Sequence, residues 1–321
     1  MKNETEILKG LVIRGSRNVL TVRIEKENEP PAELECRIKG KVLKDSGNLY
    51  NPFAPGDYVA VERQKGAGAA MILSVEKRRN LFSRFNQKGA MTQLLAANVD
   101  LILCFCTPSS PPFRPRFLDR VLLQADAAGI EAVIICNKID LTPIDIDVDE
   151  RLEDFMRIGF NVMRVSAKTG EGLDELKEII AGKTSVLAGQ SGVGKSSLIN
   201  ALQPGLNIRE GQINEKFDRG SHTTTMSFMT ELSGQLTGTR LIDTPGVRLF
   251  IPDGIKAEEV ISHMAEFAPL AGKCSYGLSC SHRTEPGCKI MEAVAAGHIH
   301  EDRYESFLRI CDNIKGNYSN D

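Results

Sequence analysis

Residues 189–196 read GQSGVGKS, a full match to Gly-x4-Gly-Lys-Ser/Thr, set between an apolar run, TSVLA, and a helical one, KSSLINALQ. Glycines at these spacings let backbone N–H groups turn inward around phosphate oxygens at the start of a helix. The pattern therefore commits this stretch to strand, phosphate loop and helix. It predicts phosphate contacts from Gly189, Gln190, Ser191, Gly192, Val193, Gly194, Lys195, Ser196 and Ser197, with Lys195 at the terminal phosphates and the Ser196 hydroxyl on Mg²⁺.

The loop says nucleoside triphosphate without naming the base. NKID at 137–140 names it, at the end of the apolar run EAVIICN. A carboxylate at Asp140 can accept from both N1–H and the exocyclic amine of guanine, a donor pair adenine lacks. Asn137 would brace the pocket and the Lys138 stem would lie along the base. SAK at 166–168 follows another strand-like run, so Ser166 and the Ala167 amide join the base site, the amide facing the guanine O6.

LIDTPG at 241–246 supplies Asp243 for Mg²⁺ and the Gly246 amide for the γ-phosphate. RGSHTTT at 219–225 lies where a switch segment belongs, and Thr223 or Thr224 would complete the Mg²⁺ shell. The residue after Gly246 is Val247, which cannot orient water as a glutamine would. His222 takes that part, since a neutral imidazole can orient or accept from water near pH 7. The motif order is guanine loop, SAK, phosphate loop, switch threonines, DTPG. That is the usual GTPase order rotated, which is physically cheap where domain termini lie close together.

The rest of the chain divides by grammar. Residues 1–76 read as short strands with Gly, Pro and Asn turns, predicting a small antiparallel barrel. KRRNLFSRFNQK at 77–88 opens a linker or strap, 77–97. Its basic residues Lys77, Arg78, Arg79, Arg84 and Lys88, interleaved with Phe82 and Phe85, are candidates for RNA phosphates and bases as well as for a solvated face. From 98 to 252, alternating strand and helix predict a parallel sheet with covering helices. IKAEEVISHMAEFAPLAG (255–272) and the closing stretch 290–314 read as helical, so 253–321 forms a third unit.

A net charge near −2 excludes a global basic field, so any nucleic-acid contact must be a local patch. No apolar run approaches the roughly 20 residues of a membrane helix, and MKNETEILKG has no signal-peptide core; the expectation is a cytoplasmic protein. Of eight cysteines, Cys36, Cys104, Cys106 and Cys136 sit in or beside apolar runs as small hydrophobes. Cys274, Cys280, His282 and Cys288 instead offer the three thiolates and one imidazole of a closed structural Zn²⁺ site.

PGDYVAVE, AANVD, NKIDL, GQSGVGKSSLIN, RGSHTTT, DTPGVR and the cysteine cluster together resemble the RsgA (YjeQ) family, circularly permuted GTPases of small ribosomal subunit biogenesis. The likeness spans nearly the whole chain. It implies an N-terminal OB-fold RNA-binding domain (1–76), a linker (77–97), a permuted P-loop GTPase domain (98–252) and a C-terminal helical zinc-binding domain (253–321). It further implies GTP hydrolysis to GDP and phosphate, stimulated by the small (30S) subunit late in its maturation. The partners implied are the subunit and its rRNA, with a monomer off the ribosome and no membrane. His222 as the water-positioning residue and one zinc per chain fit the same family. Ser221 stands where the family commonly has arginine, so a phosphate or RNA contact from that position is lost or supplied elsewhere. Two other readings remain: a permuted GTPase of the large subunit, and an RNA-binding scaffold whose nucleotide site does not hydrolyse.

Overall fold

The fold is described from a computed structural model, for residues 5–15, 19–25, 30–40, 49–64, 70–87, 89–141, 146–206, 208, 227–246 and 249–316. Five strands open the chain: β1 (Thr5–Gly15), β2 (Val19–Ile24), β3 (Ala32–Ile38), β4 (Tyr58–Gln64) and β5 (Ala70–Val75). They run in the order β1-β2-β3-β5-β4, and β4 pairs back onto β1, so the sheet closes into a barrel of OB type. All its pairs are antiparallel except β3 with β5. β1 serves two neighbours by bending at a register shift between Val12 and Arg14. Gly10 allows the closure, because a Cβ there would lie 2.3 Å from Val22 Cγ1. Alternate residues Leu20, Val22 and Ile24 of β2 point inward onto Val12, Val59, Val61 and Ile72.

Residues 77–97, read from the sequence as a linker, contain an antiparallel hairpin of β6 (Leu81–Asn86) and β7 (Met91–Ala97). Its basic run is partly committed to structure. Arg78 grips the buried Asp57 with Nε and Nη2 at 2.7 and 2.8 Å. Phe82 is fully buried, and burial lowers the Arg84 guanidinium to about 10 while Nε donates to Gln93. Arg79 pairs with Asp100, and Lys77 is exposed. Lys88 lies outside the described residues. These contacts commit Arg78 and Arg84 to the fold, while Lys77 and Arg79 stay exposed.

The central domain has β8 (Leu101–Cys106), α1 (Pro115–Ala127), β9 (Glu131–Asn137), α2 (Ile146–Arg157), β10 (Asn161–Val165), α3 (Leu173–Ile180), β11 (Thr184–Ala188), α4 (Lys195–Leu202), β12 (Phe228–Glu231) and β13 (Arg240–Asp243). Its strands lie in the order β10-β9-β8-β11-β13-β12, parallel except for β12. Every residue of β8 is buried because both faces are covered. Ile102, Cys104 and Cys106 face α1 and α2, while Leu101, Leu103 and Phe105 face α3 and α4. Each large apolar side chain so buried contributes about 1.5–3 kcal/mol relative to exposure. A single pairing of Arg14 with Phe228 joins β1 of the barrel to β12, so barrel and domain share one hydrogen-bonded sheet.

Beyond residue 253 the expected helix over 255–272 is not formed. The chain makes 3₁₀ turns at Val260–His263 and Ala268–Leu270 instead. Pro269 has no N–H to continue an α-helical ladder, and i→i+3 bonds such as Leu270 N to Phe267 O take over. Two helices follow, α5 (Lys289–Ala295) and α6 (Glu301–Ile314). The lobe's core of Val260, Met264, Phe267, Ile290, Phe307 and Ile310 takes in Leu123 of α1. No helix among the described residues is long and apolar enough to cross a membrane.

Candidate functional site

β9, β10, β11 and β13 are parallel and end at one rim of the sheet, delivering Asn137, Ser166, Gly189 and Asp243 to the same edge. Ligands bind at such rims because loops, not packed strands, occupy them. On the base side, Asn137 is buried; its Nδ2 donates to Val193 O at 2.9 Å and its Oδ1 accepts from Ala167 N at 3.2 Å. One side chain thus ties the phosphate loop to the SAK loop. The Ala167 amide, expected at the guanine O6, is engaged by Asn137 here. Asp140 accepts from Ser166 Oγ at 2.7 Å, with Lys168 Nζ at 3.6 Å. That hydrogen bond, aided by the Asp140 backbone and Lys168, holds the Asp140 carboxyl below the usual range against the opposing effect of burial. Asp140 is therefore an anion at neutral pH, fixed in orientation as a recognition carboxylate must be.

Lys138 adopts a left-handed φ of +67° and donates from Nζ to Gly192 O at 2.6 Å and Ser110 O at 2.8 Å. It bridges the phosphate loop and the 107–113 loop, a link sequence reasoning missed. The signal available was the turn-rich TPSSPP directly after β8.

On the phosphate side, Gly192 and Gly194 have φ of +83° and +90°. A Cβ at Gly194 would lie 2.4 Å from Asn137 Nδ2, so glycine is needed there for space as well as for backbone. Gln190 and Val193 are buried, Ser191, Gly192 and Ser197 are exposed, and Ser196 is half-buried in the first turn of α4. Lys195 Nζ folds back on its own loop, 3.3 Å from Gly189 O and 3.4 Å from Gln190 O, and lies 3.9 Å from Asp243 Oδ1. Burial lowers the Lys195 ammonium, and Asp243 opposes that. Burial likewise raises Asp243 to about 6 against the pull of Lys195 and the Thr244 N–H. Asp243 Oδ1 is buried with no hydrogen-bond partner. An orphaned buried carboxylate oxygen is a donor of the kind a hard cation takes.

The DTPG loop lies on the phosphate loop, since a Cβ at Gly246 would fall 2.8 Å from Ser191 N. Thr244 anchors its start, with Oγ1 donating to Leu187 O at 2.8 Å. His222, Thr223, Thr224, Ser221 and Val247 lie outside the described residues.

A second constellation stands in the C-terminal lobe. Cys274, Cys280, His282 and Cys288 are all buried, with their ligand atoms within 4.8 Å of one another. His282 Nδ1 lies 3.6 Å from Cys274 Sγ and 3.4 Å from Cys288 Sγ, and those two sulfurs are 3.9 Å apart. His282 holds a left-handed φ of +60°, its carbonyl accepts from Tyr304 Oη at 2.6 Å, and Cys274 Sγ accepts from Lys289 N. Converging donors with their own supporting bonds form a cluster that could hold a metal ion.

The RsgA GTPase family pattern matches residues 75–251. A Flavobacterium johnsoniae protein named small ribosomal subunit biogenesis GTPase RsgA is 34% identical over 97% of this chain and 95% of its own length. A Bacteroides fragilis protein of the same name is also 34% identical, over 97% and 99%. The crystal structure of YjeQ from Thermotoga maritima superposes with a TM-score of 0.70 at 31% identity, covering 97% of this chain and 99% of that one. YloQ, a circularly permuted GTPase, shares the fold with a TM-score of 0.66 at 24% identity, covering 98% of each chain. With its five-stranded barrel, permuted motif order and Cys/His cluster, this chain belongs to the RsgA GTPases, hydrolases acting on GTP.

Proposed function

We propose that this chain hydrolyses GTP to GDP and phosphate in late maturation of the small (30S) ribosomal subunit, binding the subunit and its rRNA and being stimulated by them. One observation carries the reading: Asn137 bonds both Val193 O and the Ala167 amide, uniting base-reading and phosphate-holding loops at one rim. The names of the Flavobacterium johnsoniae and Bacteroides fragilis proteins support the ribosomal part.

In this reading Asp140 selects guanine, with Ser166 holding its carboxylate and the Lys138 stem lying along the base. On GTP binding the Ala167 amide turns from Asn137 to the base. The amides of 189–197 cradle the phosphates, Lys195 leaves its own loop carbonyls for them, and the Gly246 amide meets the γ-phosphate. Ser196, Asp243 and Thr223 or Thr224 would hold Mg²⁺, which when bound offsets charge on the β- and γ-phosphates. His222 orients the water that attacks the γ-phosphorus, because Val247 offers no hydrogen-bonding group.

The Cys/His cluster would hold one structural zinc. Tetrahedral bonds of about 2.3 Å to sulfur and about 2.05 Å to nitrogen give sulfur–sulfur edges near 3.8 Å and sulfur–nitrogen edges near 3.6 Å. Among Cys274, His282 and Cys288 the separations are 3.9, 3.6 and 3.4 Å, close to these edges, and Cys280 Sγ lies within 4.8 Å of each. The functional units are 1–76 for RNA, 98–252 for GTP and 253–321 around zinc, in a cytoplasmic monomer off the ribosome. Val247 is also what a non-hydrolysing RNA scaffold would carry.

Steady-state GTP hydrolysis by the protein alone, with small subunits and with large subunits, tests the reading. Small subunits alone should stimulate, and His222→Ala should lower the stimulated rate by about 10²-fold. Equal rates in all three conditions would refute the ribosomal assignment.

A further inference from the structure

The DTPG loop does not end at the nucleotide. At one end Gly246 rests on Ser191 of the phosphate loop. The chain from Gly246 to Phe250 spans at most about 15 Å, four Cα steps. Phe250 is buried, stacked on Phe82 of β6 at 5.6 Å and edge-on to Phe117 of α1 at 6.5 Å. Ile251 O accepts from Phe85 N at 3.0 Å, which adds a backbone bond to β6. Asp253 then closes the segment with three bonds. Its carboxylate accepts from Ser83 Oγ at 3.0 Å and Thr92 Oγ1 at 2.9 Å, and its N–H donates to Gln124 Oε1 of α1 at 2.7 Å.

Both sides of that joint lead outward. The hairpin is fastened to the barrel's 49–57 loop, where Asn51 bonds both the N–H and the carbonyl of Leu94, and Ala97 N donates to Pro55 O. A Cβ on Gly56 would fall 2.0 Å from Ala97 O, so loop and hairpin are in direct contact. On the other side, α1 reaches the C-terminal lobe through Leu123 and through Arg120, whose Nη2 donates to Asn313 Oδ1 at 2.7 Å. Packed elements of this kind shift as units instead of deforming continuously.

We propose that Asp253 is a positioning residue that couples the loop after Asp243 to the β6–β7 hairpin, so that the hairpin and the barrel bolted to it take different settings with GTP and with GDP. This rests on the reading that Gly246 meets the γ-phosphate. The hydroxyls of Ser83 and Thr92 are the receiving end. By linkage, whatever docks on the barrel feeds back through the same carboxylate onto the nucleotide.

Hydrogen exchange of residues 81–97 in the full-length protein, with GDP or with a non-hydrolysable imido analogue of GTP, tests this. Binding of each nucleotide is measured in parallel by displacement of a fluorescent GDP. Wild-type protection of the hairpin should differ at least about threefold between the two nucleotides. Asp253→Ala should abolish that difference while leaving both affinities within about twofold, and Asp253→Asn, which keeps an acceptor oxygen, should restore part of it. A Ser83→Ala/Thr92→Val double variant, which leaves Asp253 and its backbone bond in place, should lose the difference as well and decides the matter if Asp253→Ala does not fold. The proposal is overturned if both nucleotides bind and the wild-type hairpin does not distinguish them, or if the difference survives in the double variant. If neither nucleotide binds, the GTP reading fails first and this inference falls with it.

Discussion

Arg303 of α6 is the side chain on which the C-terminal lobe's attachment depends most. Its guanidinium donates to Asp119 Oδ1 of α1 at 2.7 Å and to both oxygens of Glu266 at 2.6 Å. The side chain is 2% exposed, against 0% for Asp119 and 7% for Glu266, and it lies 5.5 Å from the Phe155 ring of α2. Burial alone would lower its pKa, but Asp119 and Glu266 more than reverse that, so the charge is kept at any working pH. Arg303→Met fills similar volume and removes the cation that all these bonds share. It strands three acceptor oxygens, beside an Asp119 Oδ2 that already has no partner. Breaking a buried pair this way costs about 3–5 kcal/mol, which is about 10²- to 10³·⁵-fold in the opening equilibrium of the lobe. Native-state proteolysis or hydrogen exchange should register that change in residues 255–316, with nucleotide affinity changed far less. A companion variant, Arg303→Met with Asp119→Leu and Glu266→Met, should recover most of the loss, because an apolar replacement of a whole buried triad is close to neutral. A loss below about 1 kcal/mol in the single variant would refute the argument, since it would mean that water reaches these carboxylates after all.

Three shorter tests bear on the sites. Gly194→Ala forces a side chain into a left-handed backbone, at about 1–2 kcal/mol, and onto Asn137 Nδ2, whose bond to Val193 is worth about 1 kcal/mol more; calorimetric titration should register at least a tenfold loss of GDP affinity. Asp140→Asn exchanges an acceptor pair for one acceptor and one donor, so competition binding should move preference from guanosine toward xanthosine nucleotides. Removing metal with a strong chelator, or Cys288→Ser, should release one equivalent of zinc by elemental analysis and loosen residues 274–290, while the guanine site keeps its affinity.

The sheet was legible because both-face burial leaves unbroken apolar runs such as LILCFC, and because the motifs that make the rim chemical are local in sequence. The barrel strands were legible through their turns. The β6–β7 hairpin was not: its basic run looks solvent-directed until Asp57 of the barrel meets Arg78 and the cross-strand Gln93 meets Arg84. Helical spacing over 255–272 misled because tertiary packing on Leu123 and Phe307, together with Pro269, favours tight turns over a long ladder. At the site, NKID and SAK announced themselves, whereas the Asn137 bridge and the Lys138–Ser110 bond depend on loops distant in the chain. The adjacent Asp119 and Arg120 inside the otherwise apolar FLDRVLL carried a clue, since charges on a buried helix face require partners.

The seam between β8 and β11 has a consequence for the order in which this protein is made. Strands β8, β9 and β10 are contiguous in the chain and lead to the NKID and SAK loops; β11, β12 and β13 follow, with the GQSGVGKS loop after β11 and DTPG after β13. On a chain synthesised from its N-terminus, the base-reading half emerges with the inner edge of β8 bare, and β11 zips onto it parallel, Ser185 against Leu101 through Ala188 against Cys104. In the proposed reading the nucleotide straddles that seam. GTP or GDP bound there would join the two halves and stabilise the complete sheet by an amount that grows with the logarithm of its concentration above Kd. In that reading the rotated motif order places the nucleotide across a seam that can close only once β11 has been made.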